Sequence, residues 1–274
     1  MGKNNLRLLI VAIVAMFMVG STGIVDAKVK KGKTKTTAKK TGKKASQSNN
    51  LTFTVNGVKF EMVPVDGGSF TMTNRVDYDK YEKVNVTLEP YSIGQTEVTQ
   101  ALWKAVMGKN PSQASMGEED KCPVDNVRYK DCLLFIEKLN ELTGKNFRIP
   151  TTAEWQFAAR GGNKSKGYKY SGGNDINKVA WYLDNSDGRT QEVATKTANE
   201  LGIYDMSGNV SEWCTEYNEY GTLSAKDNTS LGLARRSATF CNGNWRSAPE
   251  ECEIKFMWQE DAEESCSIGL RLAL

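Results

Sequence analysis

The stretch Gly202–Trp213 limits what this chain can fold into more than any other. It reads Gly-Ile-Tyr-Asp-Met-Ser-Gly-Asn-Val-Ser-Glu-Trp. Glycines punctuate it, and two carboxylates, Asp205 and Glu212, stand seven residues apart with the backbone carbonyls of Gly208 and Val210 between them. So irregular a segment cannot be the interior of a helix or a long strand. Oxygens at i, i+3, i+5 and i+7 of a loop are what Ca²⁺ needs, since it takes six to eight oxygens at roughly 2.3–2.6 Å. The plainer reading is an Asx-type turn leading into a short helix or strand. By itself the stretch favours the turn, because one loop with two carboxylates is a weak metal signal.

Two further segments add to it. Phe147–Gly162 reads Phe-Arg-Ile-Pro-Thr-Thr-Ala-Glu-Trp-Gln-Phe-Ala-Ala-Arg-Gly-Gly, and Gly269-Leu270-Arg271-Leu272 nearly ends the chain. Together with Gly202–Trp213 they resemble the formylglycine-generating enzyme (sulfatase-modifying factor) family from about Phe60 to Leu272. The resemblance implies an α+β fold, the loop-rich formylglycine-generating-enzyme variant of the C-type-lectin fold, with short strands and two or three helices. It also implies one calcium ion held by Asp205, Glu212, Glu97 and the carbonyls of Gly208 and Val210. A second calcium site of the family falls near Val179, where valine offers only its carbonyl. Fold membership does not carry activity with it.

The family's oxidases hold copper between two cysteines just after a Gly-Gly-Ser-Trp/Tyr turn, and copper activates O₂ to oxidise a substrate cysteine. The turn here is Asn242-Gly243-Asn244-Trp245, which puts Ser247 and Cys252 at the two positions. A serine hydroxyl is a hard, poorly acidic ligand and does not replace a thiolate for copper. The chain has no histidine, so imidazole serves neither as ligand nor as the base of a nucleophile. The expectation is a non-catalytic domain of the family with no copper, against the alternative of a formylglycine-generating oxidase acting on a sulfatase cysteine.

Length and composition divide the 274 residues. Lys3 and Arg7 precede the apolar run Leu8–Val19, and Val25-Asp26-Ala27 follows, so residues 1–27 read as a secretory signal peptide too short for a membrane span. Residues 28–50 carry nine lysines and almost nothing apolar, a linker unable to offset its ordering entropy, with possible envelope contact. Residues 1–50 hold 11 of the 36 basic residues and one of the 33 acidic ones. That leaves 25 basic against 32 acidic, a net of −7, for residues 51–274, which argues against nucleic acid as partner of the folded part. The six cysteines, Cys122, Cys132, Cys214, Cys241, Cys252 and Cys266, are an even set in an exported chain and predict disulfides, with fifteen connectivities open.

Within 51–274 the sequence predicts a hairpin over Phe53–Val65 around Asn56-Gly57. Strands follow at Gly67–Met72, Val84–Leu88 and Tyr91–Glu97, then a Thr99-capped helix Gln100–Met107 ending at Gly108. Pro123–Val127 is a further strand entry. Asp131 caps a helix whose stripe of Leu133, Leu134, Ile136, Leu139 and Leu142 is core. Thr151 and Glu154 form a capping box, with Arg148 and Arg160 as structural ion-pair partners.

Departures from the family pattern gather in residues 238–266. Glu250, Glu251, Glu253, Glu260, Asp261, Glu263 and Glu264 face a single Lys255, interleaved with Phe256, Met257 and Trp258. Such a surface suits binding of a protein or glycan, with Trp245, Glu253, Lys255, Phe256 and Trp258 as candidate contacts. Relatives implied by the resemblance include receptors whose C-terminal segment is diversified by a retroelement. Drift after loss of catalysis explains the same pattern about as well.

Overall fold

The structure is a computed structural model and describes residues 50–77, 80–112, 119–216, 237–263 and 266–274. The signal peptide, nearly all of the lysine-rich linker and Glu264 lie outside the described residues.

Strands β1 (Leu51–Val55) and β2 (Val58–Val65) pair antiparallel with Val55 opposite Val58. That register leaves a two-residue loop with Asn56 at φ 47° and Gly57 at φ 83°, the left-handed pair that a type I′ turn requires. Strand β5 (Tyr91–Gly94) completes a three-stranded sheet on the other edge of β2. Strands β3 (Gly68–Asp77) and β4 (Lys80–Leu88) form a separate two-stranded ribbon. The third sheet has four strands in the order β8 (Met257–Asp261), β7 (Ser237–Cys241), β6 (Ser211–Cys214), β9 (Ile268–Gly269), with β6 and β9 parallel.

Helix α1 (Gln100–Met107) begins where the Thr99 side chain accepts from the Leu102 amide and ends at Gly108, φ 75°. Helix α2 (Tyr129–Thr143) buries Cys132, Leu133, Phe135, Ile136 and Leu139. Leu134 and Leu142, expected in its core stripe, are 43% and 38% exposed, because they fall on the flank of the helix away from Trp213 and Trp103. Asp131 sits three residues inside the helix start, accepting from the Arg128 amide and Nε. Helix α3 (Thr152–Ala159) carries the expected capping box: the Thr151 hydroxyl accepts from the Glu154 amide, and Glu154 accepts from the Thr151 amide. A single turn, α4 (Ile176–Val179), is the fourth α-helix among the described residues. Pro123–Val127 forms no strand and contributes only a bridge from Pro123 to Thr99. Beyond the bridge, the Asp125 amide donates to Ser112 Oγ and the Val127 amide to the Ile268 carbonyl.

Two large cores result. One packs α1 and α2 with Phe147, Trp213, Leu270 and Leu272, and its Trp103 and Phe135 rings stack at 4.8 Å. The other packs α3 against β3, β4 and the inner face of the third sheet, including Cys214 and Cys241. A third, small cluster holds Tyr170, Val179, Ala180, Tyr182 and Cys252. All six cysteines are free thiols, five of them buried. The expected disulfide framework is not formed: Cys132 and Cys252 lie in different clusters, Cys266 is exposed, and Cys214 and Cys241, in side-chain contact across β6 and β7, are both thiols.

A Cβ at Gly57 would meet nothing within 4 Å, so Gly57→Ala isolates the backbone cost of the left-handed turn. It should lower stability by about 1 kcal/mol, read as a reduced urea midpoint with an unchanged slope.

A buried ion-pair lattice as candidate functional site

The Gly202–Trp213 loop is held by hydrogen bonds to its side chains and carbonyls, with little regular ladder. Gly208 is left-handed at φ 81°, and a Cβ there would lie 2.2 Å from the Trp181 carbonyl oxygen, so only glycine lets the two backbones approach. Asp205 and Asn209 also take positive φ, 57° and 62°. The loop then enters β6, which carries Glu212 into the interior.

Glu212 is wholly buried, and its partner is Arg271, buried to the same degree. Arg271 Nη2 donates to Glu212 Oε1 at 2.7 Å and Nε to Oε2 at 2.9 Å, a two-pronged pair. Trp155 Nε1 donates to Oε2 at 2.6 Å. The remaining guanidinium donors go to carbonyls, Nη1 to Gly94 and Nη2 to Tyr204, each at 2.9 Å. Arg271 is delivered there because the chain end runs beside β5, with Gly94 donating to Leu272 and Ala273 bridging both Ile93 and Arg148.

Glu97 and Asp205 complete the cluster. Glu97 follows β5, is buried, and accepts from the Val210 amide at 3.3 Å and from Asn209 Nδ2 at 3.2 Å. Burial pushes its carboxyl well above the usual carboxylate range, and Asp205 adds to the rise while Arg271 opposes it. Asp205 Oδ2 accepts from the Ala194 amide at 2.7 Å, while its Oδ1 is buried without a hydrogen-bond partner. Burial raises Asp205 to about 6, against the Ala194 hydrogen bond and the Arg271 charge.

The five calcium positions drawn from the sequence are therefore neighbours, but four of them, Glu97, Glu212, Gly208 and Val210, are already committed. Both Glu212 oxygens receive N–H groups, and the carbonyls of Gly208 and Val210 accept from Asn242 Nδ2 at 2.9 and 3.3 Å. Among the described residues no group of three or more His, Cys, Asp or Glu is arranged to hold a metal ion. As a set, the five do not fit a calcium ion in this geometry. Sequence reasoning assigned no part to Arg271, Trp155 or Asn242. Arg271 was visible only as the end of a matching block, and Asn242 only as a departure from the Gly-Gly turn. Val179, near the second calcium position, is buried in the small cluster.

At the two positions of the copper pair, Ser247 is buried, and its amide closes a turn onto the Asn244 carbonyl. Cys252 packs against Tyr170, Val179, Ala180 and Tyr182, and burial, with Glu251 and Glu250 adding to it, pushes the thiol up to about 12. At neutral pH it is a thiol and offers no thiolate. Of the candidate ligand contacts, Lys255 is exposed and Glu253, Phe256, Trp258 and Trp245 are half-buried. Trp245 is tied to the loop instead, its amide donating to Asn209 and its carbonyl accepting from Ser186 Oγ. Arg148 pairs with Glu154 as expected, whereas Arg160 bonds Ser165 Oγ and lies over the Phe70 ring at 5.4 Å.

Arg271→Met should cost about 3–5 kcal/mol, because it leaves a buried carboxylate uncompensated. Chemical denaturation checks this, and Arg271→Lys should recover only part, since an ammonium cannot reproduce the fork. The raised pKa of Asp205 fixes the sign of a pH effect. Its contribution is fully present below the unfolded carboxylate value near 4 and is lost as pH rises through about 6. Asp205→Asn removes that loss, so the difference between variant and wild-type urea midpoints should move in favour of the variant between those two pH values.

The profile of the sulfatase-modifying factor enzyme 1-like domain matches residues 49–274. The chaperone protein LppX of Paenibacillus barcinonensis is 34% identical over 257 residues, covering 75% of this chain and 85% of that protein. The inactive Cα-formylglycine-generating enzyme 2 of Bos taurus is 28% identical over 126 residues, 42% of this chain and 39% of that one. Among solved structures, Treponema denticola variable protein 1 superposes with a TM-score of 0.68 at 28% identity, over 82% of this chain and 98% of that one. The α+β fold with its loop-held core is the fold of these neighbours, and the chain belongs to the sulfatase-modifying factor enzyme 1-like (formylglycine-generating enzyme) family.

Proposed function

We propose that this protein is an exported, non-catalytic member of its family that binds a partner through the face built from its C-terminal segment. The observation that carries the reading is Cys252. The one sulfur left at the two positions of the copper pair is enclosed in an apolar cluster with its pKa near 12, and Ser247 stands at the other. A thiol so protonated, without a second thiol, is a poor copper ligand. The inactive Bos taurus relative supports loss of the chemistry in this family.

The binding face centres on a groove of about 280 Å³ between β3, the end of α3, the 165–169 loop and the 253–255 segment. Its charged lining is Arg160, Lys169, Lys255 and Glu253. Glu253 bridges the two lysines at 3.1 and 2.9 Å, and together they hold its carboxyl below the usual range against the cost of burial. One carboxylate for three cations leaves a surplus of positive charge on a folded part that is acidic elsewhere. The groove therefore suits an acidic group of the partner, with Arg160 as the planar fork that recognises carboxylate. Glu253 and Lys255 belong to the segment that departs from the family pattern, and the variation named in the Treponema denticola relative fits a face whose residues change on a fixed frame.

Two experiments bear on this. With copper, a reductant and a sulfatase-type cysteine peptide, mass spectrometry should find no aldehyde, and clear turnover would overturn the non-catalytic reading. On an array of acidic and neutral peptides the protein should retain acidic probes, and Lys255→Glu, at an exposed position, should cut retention severalfold without lowering the melting temperature. Equal retention by wild type and Lys255→Glu would remove the groove from the proposal.

A further inference from the structure

Asn242 makes three hydrogen bonds into the Gly202–Trp213 loop. Its Nδ2 donates to the Gly208 carbonyl at 2.9 Å and to the Val210 carbonyl at 3.3 Å, and its Oδ1 accepts from the Gly208 amide at 2.8 Å. The side chain is completely buried, and its backbone is left-handed at φ 72°. A glycine, which the Gly-Gly-Ser-Trp pattern places here, would be the relaxed residue at that φ. Asparagine is among the few others that adopt it at small cost. The position therefore combines a mild backbone penalty with an amide whose donors and acceptor are all used.

We propose that in this chain the Asn242 amide replaces a bound calcium ion as the clamp of the loop, on a frame that the Arg271–Glu212 pair holds. The oxygens in question are the same ones. The Gly208 and Val210 carbonyls face N–H groups of Asn242, and Glu212 is neutralised by Arg271. An N–H dipole aimed at a carbonyl oxygen and a guanidinium on the carboxylate both repel a cation from those atoms. What remains uncommitted is Asp205 Oδ1, since both oxygens of the neighbouring Glu97 accept N–H groups, and this is far short of the six to eight oxygens calcium takes. The clamp is thus covalently part of the chain, and the loop closes whatever the calcium concentration outside. This inference is independent of the ligand groove and of the absence of catalysis.

The test is a calcium titration of the whole protein and two variants, followed by thermal unfolding, with atomic emission on the purified samples. Wild type should carry no stoichiometric calcium, and its melting temperature should be the same in chelator and in millimolar calcium. Asn242→Gly keeps the left-handed turn and removes the clamp, so it should melt lower in chelator and regain part of the loss when calcium is added. Asn242→Asp is isosteric but points an oxygen at the two carbonyls, so it should depend on calcium more strongly still. Calcium bound to wild type, or a wild-type melting temperature that rises with calcium, would overturn the proposal, and so would an Asn242→Gly variant as stable as wild type in chelator. Where neither variant folds, the wild-type metal content and titration decide the matter alone.

Discussion

Enclosing the guanidinium of Arg271 obliges everything near it to supply acceptors. A charge taken fully out of water costs several kcal/mol unless it is paired and its remaining donors are bonded. Glu212 provides the pair, and Gly94 and Tyr204 provide carbonyls. Those groups come from β6, from β5 and from the 202–213 loop, so one side chain near the C-terminus fixes how three distant parts of the chain meet. Trp155, from α3, donates to the same carboxylate and ties the helix to that junction. Such a pair adds little net stability compared with well-packed apolar residues. Its effect here is to admit a single arrangement of elements whose own hydrogen-bond ladders are short.

That explains the economy of regular structure. Strand β9 joins the third sheet through a two-residue parallel contact with β6, and several described segments add to the ladders no more than an isolated bridge. Side-chain amides take over the work of backbone ladders: Asn199 and Asn209, like Asn242, each bond more than one backbone group. Left-handed backbone at Asp205, Gly208, Asn209 and Asn242 clusters in this region. Residues in that conformation cost energy individually and persist where surrounding contacts over-determine them.

Local structure was legible in the sequence wherever a short-range rule decided it. The Asn56-Gly57 turn, helix α1 from its cap to Gly108 and the Thr151–Glu154 box follow from propensity and capping alone. Helix α2 was found, but its exposed leucines were not, because a stripe with leucines on its flank looks core-like until the packing partner is known. The carboxylates of the site were also visible, since the spacing of Asp205, Gly208, Val210 and Glu212 places oxygens together. Their partners were not. Arg271 lies 59 residues from Glu212, and no periodicity links them. Asn242 could be seen to differ from a glycine, but only the fold reveals that its amide meets the loop carbonyls. The cysteines misled for a related reason: an even count says nothing about distance, and only Cys214 and Cys241 share a cluster.

The same lattice separates what must stay constant from what is free to change. Residues 237–243 are tied to the loop by Asn242 and by pairing of β7 with β6, and residues 268–274 are tied by Arg271 and by the bridges to β5 and Arg148. The segment between them is held through β8, the edge strand of the third sheet, and through buried side chains. Cys252 fills the small cluster with a thiol, and Met257 enters the second core, while Lys255 and Gln259 point outward. A substitution at Lys255 alters the charge of the groove without touching a buried donor, whereas one at Asn242 or Arg271 leaves carbonyls or a carboxylate unmet inside the protein. A frame pinned on both sides of that segment lets its exposed positions, Lys255 and Gln259 among them, change while the buried ones keep the fold.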